Sequence, residues 1–140
     1  MSIIGSNNAD IESRIKDWFE KCVITDVQPN VQNKEEKHPY IDVEGNVKIE
    51  FCQDTALPPF IKFGHIHGNF ECLYSKFQSM TGFPKYVDKD FTCFSCPNIY
   101  SIEGMPTLIE RDCIIRKCGR QFTEEEIRDK SNVTRKVYCE

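Results

Sequence analysis

The chain has 140 residues, of which 18 are Lys or Arg and 22 are Asp or Glu, so its net charge is −4. This slightly acidic balance excludes a protein that wraps nucleic acid through its phosphates, and the 39% of hydrophobic residues excludes a disordered chain. No stretch approaches the roughly 20 apolar residues of a membrane span and no apolar leader opens the chain, so we expect one folded, intracellular domain without membrane partners.

The N-terminal segment predicts an amphipathic helix followed by a loop. Between residues 9 and 23, apolar side chains recur at the spacing of one helix face. They are Ile11, Ile15, Trp18, Phe19 and Cys22. Residues 23–27 are expected to form a short strand, and residues 28–39, which include Pro29 and a charged run at 34–37, predict a loop. We therefore assign residues 1–39 to an N-terminal helix and a polar linker.

After this linker the sequence repeats with a period of about 22 residues, which is typical of a solenoid. We call each repeat a rung and count positions from its opening residue. The opening residues are Val43, Ile66, Val87 and Ile109. Position three reads Asn46, Asn69, Asp90 and Asp112, and position four reads Val47, Phe70, Phe91 and Cys113. Position six reads Ile49, Cys72, Cys93 and Ile115, and position nine reads Cys52, Ser75, Cys96 and Cys118.

Local patterns predict how the solenoid begins and ends. Residues 40–43 and 47–51 alternate around Glu44-Gly45-Asn46, which predicts a hairpin that enters the first rung. Thr123 and Glu126 form a capping-box pattern, which opens a short helix. The remaining domain assignments are the solenoid at 40–121 and a C-terminal capping helix and tail at 122–140. The predicted fold class is α+β, a short β-solenoid of about four rungs with a helix at each end.

The eight cysteines are best explained by the repeat. An even number can indicate a disulfide framework, but nothing in the chain indicates export. A zinc site built from Cys93, Cys96, Cys113 and Cys118 is loosely spaced. Cys72 and Cys93 instead share a column with isoleucine, which indicates buried, reduced side chains. The cysteines at position nine are expected to bond the backbone of the turns inside the solenoid.

Three motifs resemble those of a known family. They are Gly68-Asn69-Phe70-Glu71-Cys72, Ser101-Ile102-Glu103-Gly104-Met105-Pro106 and Phe122-Thr123-Glu124-Glu125-Glu126-Ile127-Arg128. Through these motifs, residues 11 to 128 resemble the small leucine-rich-repeat-like proteins encoded by large tailed bacteriophages. The resemblance implies a leucine-rich-repeat-like β-solenoid, a phage origin and a location in the host cytoplasm. It implies no catalytic residues.

His65 and His67 are the strongest candidates for chemistry, because two imidazoles on one face of an extended segment could hold a metal ion. No carboxylate lies near them at a comparable phase of the strand, although Glu71 is close in sequence. The chain also has no visible catalytic triad, phosphate-binding glycine loop or pair of carboxylates. We therefore predict no metal, no cofactor and no enzymatic activity. The alternative is a small metal-binding protein or metalloenzyme that uses His65, His67 and the cysteines.

The outward side chains of the strands suggest a surface for binding protein. If positions four and six of each rung face the core, positions five and seven face outward, because side chains alternate along a strand. These positions and position eight place apolar and aromatic side chains on adjacent rungs with charged side chains around them, as in protein-binding surfaces. The predicted partner-binding residues are Phe51, Glu71, Leu73, Tyr74, Phe94, Ile114, Arg116 and Lys117.

The repeat scaffold, the apolar strand face and the resemblance together favour one function. We expect a non-enzymatic phage protein that binds and inhibits a host protein, such as a nuclease, a protease or a component of a defence system. The mechanism would be steric occlusion, with no direct contact to nucleic acid. A structural or assembly role in the virion is a further alternative, and it predicts a homo-oligomer.

Overall fold

The computed structural model describes residues 4–25, 27–33 and 39–140, and the predicted charged run at 34–37 lies outside them. Within the described residues the chain forms two helices and twelve short strands. The helices are α1 (Ile4–Cys22) and α2 (Glu124–Lys130). The strands before Asp90 are β1 (Val23–Ile24), β2 (Asn30–Val31), β3 (Ile41–Val43), β4 (Val47–Glu50), β5 (Phe63–Ile66), β6 (Phe70–Leu73) and β7 (Tyr86–Val87). The later strands are β8 (Phe91–Phe94), β9 (Leu108–Ile109), β10 (Cys113–Arg116), β11 (Asn132–Val133) and β12 (Val137–Tyr138).

The strands form two six-stranded sheets on two sides of a solenoid. Sheet A has the order β1-β4-β6-β8-β10-β12, and sheet B has the order β11-β9-β7-β5-β3-β2. Each rung contributes one strand to each sheet, and strands of consecutive rungs pair in parallel. In the described chain only β1 and β2, at the first end, pair antiparallel with their neighbours. The predicted β-solenoid of about four rungs is therefore confirmed.

The predicted hairpin at residues 40–51 is wrong. Strands β3 and β4 belong to different sheets, and each pairs in parallel with the equivalent strand of the next rung. Val43 lies beside Ile66, and Val47 lies beside Phe70. Residues on both strands alternate because each strand turns one face toward the same core, so alternation alone did not reveal which strands pair.

The register of the sheets matches the columns of the sequence repeat. The opening residues of successive rungs lie side by side in sheet B, and positions four and six do so in sheet A. All of these side chains are buried. The rings of Phe70 and Phe91 stack with their centroids 5.9 Å apart. Burying one such side chain contributes roughly 1.5–3 kcal/mol, so these columns are the main source of stability.

Position three forms a ladder of side-chain hydrogen bonds, which we call the Asx ladder. Oδ1 of Asn46 accepts the backbone N–H of Asn69 at 2.8 Å, and Oδ1 of Asn69 accepts that of Asp90 at 2.9 Å. Asp90 accepts the N–H of Asp112, and Asp112 accepts the N–H of Lys136. Each side chain thus satisfies a backbone donor at the corner where the chain crosses from sheet B to sheet A.

Helix α1 packs its apolar face against the first end of the solenoid. Ile15, Trp18 and Phe19 are buried, and the Phe19 ring lies 5.7 Å from that of Phe63 in β5. The apolar spacing seen in the sequence therefore marks the buried face of this helix. Neither helix in the described residues is long and apolar enough to cross a bilayer.

The chain continues the solenoid after α2, which the sequence analysis did not predict. The predicted capping box is present, since Oγ1 of Thr123 accepts the N–H of Glu126 and Oε1 of Glu126 accepts the N–H of Thr123. Beyond this helix, β11 and β12 extend both sheets in parallel, with Val133 beside Ile109. Along the chain, α2 therefore lies between strands β9 and β10 of the preceding rung and the added strands β11 and β12.

We expect Asn69→Ala to lower the free energy of unfolding by about 1–2 kcal/mol, because it leaves the N–H of Asp90 without its acceptor. Urea unfolding followed by circular dichroism measures the change. Asn98→Ala is the control, since the Asn98 amide makes only a long, exposed bond to the carbonyl of Lys76, and its effect should stay below about 0.5 kcal/mol. Equal losses in the two variants would contradict the role of the Asx ladder.

The hydrogen bond from Arg120 and that from the backbone of Thr123 lower the pKa of Glu126 to about 2. A carboxyl whose pKa falls on folding stabilises the fold above its unfolded pKa, and this contribution is lost as the pH falls through the folded value. Glu126→Gln should therefore destabilise the protein at pH 7 but not near pH 2. Unfolding curves across this range test it, with the exposed neighbour Glu125→Gln as control. A loss that is independent of pH would contradict the prediction.

Candidate functional site

The outer face of sheet A carries the residues that the sequence analysis selected. In β4, β6 and β8 buried and half-buried residues alternate, so every second side chain points outward. The register aligns Leu73 with Phe94 and then with Arg116 in one row across the sheet. A neighbouring row contains Glu71, Thr92 and Ile114. All eight predicted residues thus lie on this face or at the corner that follows it.

Three ring systems line up along this face, and we call them the aromatic row: Phe51, Tyr74 and Phe94. The rings of Phe51 and Tyr74 are stacked at 5.2 Å, and Phe94 meets Tyr74 edge-on at 5.8 Å. Phe51 is 62% exposed and Tyr74 is 43% exposed, whereas Phe94 is half-buried. The row therefore presents a continuous aromatic surface to solvent.

The backbone at two members of the aromatic row, Phe51 and Tyr74, is left-handed. Position eight has a φ between 52° and 57° in every rung: at Phe51, Tyr74, Ser95 and Lys117. This conformation costs roughly 1–2 kcal/mol for an ordinary side chain and is adopted readily by Gly and more easily by Asn. Two large, exposed aromatic side chains occupy positions where a small residue would suit the fold better. Their presence is therefore not explained by the stability of the solenoid.

The ends of the same face carry two exposed apolar residues that the sequence analysis missed. Ile24 of β1 lies beside Lys48, and Tyr138 of β12 lies beside Ile114. Both belong to short strands at the ends of sheet A, where the 22-residue repeat is interrupted. Their exposed fractions are 58% and 40%. Tyr138 extends the apolar surface beyond Ile114, whereas the neighbour of Ile24 in the sheet is the charged Lys48.

The charged border of the face is partly held in place. Nε of Arg116 donates to the backbone carbonyl of Glu140, so the C-terminal residue fixes this guanidinium at the edge of sheet A. Glu71 is half-buried, and Lys117 is exposed at the corner. The border therefore contains both positive and negative side chains. Such a mixed border suits a partner surface that also carries both signs of charge, as protein surfaces do.

All eight cysteines are unpaired, as predicted, and four of them gather in the core. The Sγ atoms of Cys72 and Cys96 are 3.8 Å apart, and those of Cys93 and Cys118 are 3.9 Å apart. The thiol of Cys96 also donates to the carbonyls of Cys72 and Phe94, both at 3.6 Å. Position nine thus bonds the backbone of the corner, as the repeat indicated.

Hydrogen bonds and burial shift the pKa values of the core cysteines in opposite directions. The thiols of Cys118, Cys72 and Cys96, together with burial, raise the pKa of Cys93 well above its usual value, and burial raises the pKa of Cys113 to about 12. Hydrogen bonds from Cys72 and Cys93 lower the pKa of Cys96 to about 4, and the hydrogen bond from Cys93 lowers the pKa of Cys118. The reactive and metal-binding form of cysteine is the thiolate, so the raised pKa favours a structural role for Cys93 and Cys113.

A polar cluster lies on the outer face of sheet B. Asp88 joins His65 and His67: Nε2 of His65 is 2.6 Å from Oδ1 of Asp88, and Nδ1 of His67 is 3.2 Å from Oδ2. Burial raises the pKa of Asp88 and is the largest single cause, but the hydrogen bonds and charges of His65 and His67 together lower it by more, and the net shift is downward. Asp88 is the carboxylate that the sequence analysis did not find near the two histidines.

The repeat contains the signal that would have identified Asp88. Position one of successive rungs reads Glu44, His67, Asp88 and Glu110. Because strands pair in register, neighbours in this column lie side by side on sheet B, with a carboxylate on each side of His67. The histidines and the core cysteines form separate clusters, so the structure does not bring together the mixed site of the metal-binding alternative.

The two outer faces thus differ in chemistry: sheet A carries the aromatic row and sheet B carries the His65–Asp88 cluster. No protein-family model, curated protein or solved structure matched this chain in the three comparisons that were made. The function is therefore argued from the geometry of these two faces.

We expect Tyr74→Asn to change the free energy of unfolding by less than about 1 kcal/mol, because relief of the left-handed backbone offsets the roughly 0.5–1.5 kcal/mol of each lost ring contact. Phe70→Ala, in the buried column beneath the same sheet, is the reference and should cost about 3–5 kcal/mol. Chemical denaturation of the two variants measures both. A loss near 3 kcal/mol for Tyr74→Asn would mean that the aromatic row stabilises the fold.

Proposed function

We propose that this chain is a non-enzymatic binding module of a phage, which binds a host protein through the outer face of sheet A and inhibits it by steric occlusion. The observation that carries the proposal is the aromatic row, in which exposed rings occupy left-handed positions that the fold would fill more favourably with small residues. Residues kept at a local cost in stability are often kept for function.

The aromatic row has the properties of an interface centre. Aromatic side chains bury about 150–250 Å² each and dominate the energetics of many interfaces. Phe51 and Tyr74 are already held against one another, so they lose little conformational freedom when a partner covers them. Leu73 and Ile114 extend the apolar area, and Glu71, Arg116 and Lys117 lie at its border. We propose that the aromatic row, with Leu73 and Ile114, forms the centre of the interface and that the three charged residues form its rim.

The solenoid provides a rigid base for such a surface. Every strand of sheet A is bonded on both sides except the two end strands, and the core columns beneath it are fully buried. A partner therefore meets a face that is formed before binding, which lowers the entropic cost of association. Steric occlusion requires no conformational change in the inhibitor. It is therefore compatible with a rigid scaffold of short, hydrogen-bonded rungs.

The assignment to leucine-rich-repeat-like phage proteins, with a host-cytoplasm location, belongs to the same proposal. It is supported by the resemblance of the Gly-Asn-Phe-x-Cys strand at residues 68–72 and of the turn at residues 101–106. The bonding of position-nine side chains to the corner backbone is a further point of similarity with leucine-rich repeats. The second short strand in each rung, which forms sheet B, is an additional feature of this chain.

The proposal is tested with a variant that removes the aromatic row without straining the fold. Phe51→Asn/Tyr74→Asn places side chains that tolerate the left-handed conformation at both positions. Tyr100→Asn is the matched control, because Tyr100 is as exposed as Phe51 but lies outside this face. All three proteins are immobilised and exposed to bacterial lysate, and the retained proteins are identified by mass spectrometry.

We expect a single host protein to be retained by the intact chain and by Tyr100→Asn and to be lost with Phe51→Asn/Tyr74→Asn. The purified partner should then be inhibited by the intact chain, with an inhibition constant at least tenfold weaker for the double variant, which corresponds to about 1.4 kcal/mol. Retention of the same host protein by all three proteins would exclude the aromatic row as the binding surface. The remaining outcome is that no host protein is retained and that the intact chain self-associates whereas the double variant does not. That result would support an assembly role instead of inhibition of a host protein.

A further inference from the structure

The cluster of His65, His67 and Asp88 is built by the register of sheet B. His65 lies in β5 and faces outward, since its neighbour Ile66 is buried. The register places His65 beside Tyr86 and Ile66 beside Val87, so Asp88 comes to lie next to His67 in the following rung. Two residues separated by more than 20 positions in sequence are thereby held side by side.

Backbone hydrogen bonds fix the position of each member. The N–H of His65 donates to Oδ1 of Asp42 at 2.8 Å. The N–H groups of His67 and Asp88 donate to carbonyls of the preceding rung at 2.9 Å and 3.0 Å. Because the backbone under all three side chains is tied to the sheet, the cluster is organised before any ligand arrives.

The side chains converge on one point. The carboxylate of Asp88 turns one oxygen to each imidazole, and the two rings stack with their centroids 3.9 Å apart. One ligand atom from each of the three residues lies within 4.8 Å of the others. In a tetrahedral zinc site with bonds of about 2.0–2.2 Å, ligand atoms are separated by roughly 3.3–3.6 Å, so the three ligand atoms are near the required spacing, and the two imidazoles must rotate out of their stack to point one nitrogen each at the same ion.

We propose that His65, His67 and Asp88 bind one Zn²⁺ ion on the outer face of sheet B, independently of the protein-binding role of sheet A. Imidazole nitrogen with a single carboxylate is a ligand set of zinc and related transition metals, whereas Ca²⁺ and Mg²⁺ prefer oxygen ligands alone. The three side chains are about one third exposed, so an ion can reach them and water can complete its coordination.

Glu44 completes the arrangement from the preceding rung. Its Oε1 lies 3.7 Å from Nε2 of His67, on the opposite side of the ring from Asp88. When Nδ1 of His67 binds the ion, Nε2 carries the proton and faces this carboxylate. A carboxylate that orients a metal-bound histidine in this way is a common second partner of zinc sites.

Binding of the ion requires Nε2 of His65 to present a lone pair. Nε2 of His65 and Oδ1 of Asp88 are 2.6 Å apart, which is too close for an ion bound to both atoms, so they must separate. The neutral ring then carries its proton on Nδ1, and the lone pair of Nε2 faces the ion.

The test uses the full chain with its cysteines reduced. Isothermal titration should give one Zn²⁺ per chain with a dissociation constant in the micromolar range or below. Asp88→Asn keeps the shape of the side chain and should weaken binding at least about tenfold, the lower end of the losses seen at zinc sites. Asp129→Asn, an exposed acidic residue of α2, and Cys96→Ser, in the core thiol cluster, are the controls and should bind as the intact chain does.

Cobalt distinguishes the two donor clusters. Co²⁺ bound by His65, His67 and Asp88 has nitrogen and oxygen ligands, so the intense near-ultraviolet absorption of thiolate-bound cobalt should be missing. Loss of binding in Cys96→Ser with retention in Asp88→Asn, accompanied by that absorption, would overturn the proposal in favour of the core cysteines. A lack of Zn²⁺ binding by the intact chain at millimolar concentration would also overturn it.

Discussion

The parallel pairing of each rung with the next is the interaction on which the rest of the structure depends. Because the strands pair in register, every position of the repeat becomes a column that runs along the solenoid. A column turns to the same side of the solenoid in every rung, so a single pattern specifies the core, the corners and both outer faces. The Asx ladder strengthens this register at the corner, where a side chain such as Asn69 accepts the backbone N–H of the following rung. Core packing and surface chemistry thus have one origin.

Columns that face outward are free to differ in chemistry, and the two sheets use this freedom in different ways. Sheet A aligns Leu73 with Phe94 and carries the aromatic row at its corner. Sheet B aligns imidazoles with carboxylates around Asp88. Neither surface alters the buried columns between them. Because side chains alternate along a strand, the residues that bind can change without disturbing those that pack. A solenoid can therefore present two outer faces of different chemistry around one core.

Much of this architecture could be predicted from the sequence because a repeat reports its register directly. The spacing of Phe70 and Phe91 was sufficient to place them in one column, and the outward positions followed from alternation. Three errors had physical causes. The hairpin was predicted because both strands alternate toward the same core, and alternation says nothing about which strand is the partner. Strand β12 was missed because α2 interrupts the period. Asp88 was overlooked because the search for a third ligand followed the chain near His67 rather than the column across the rungs.

The left-handed corner explains why the aromatic row is informative about function. Each rung bends at position eight, and the bend is required in every rung because the chain must leave sheet A at the same point. Ser95 and Lys117 show that the corner accepts small or flexible side chains with no ring contacts. Phe51 and Tyr74 bear the same backbone strain, yet their rings stack over solvent instead of filling the core. The contacts between the rings offset part of this strain, but much of their surface remains exposed to solvent. This exposed aromatic surface is the reason for proposing a partner on sheet A.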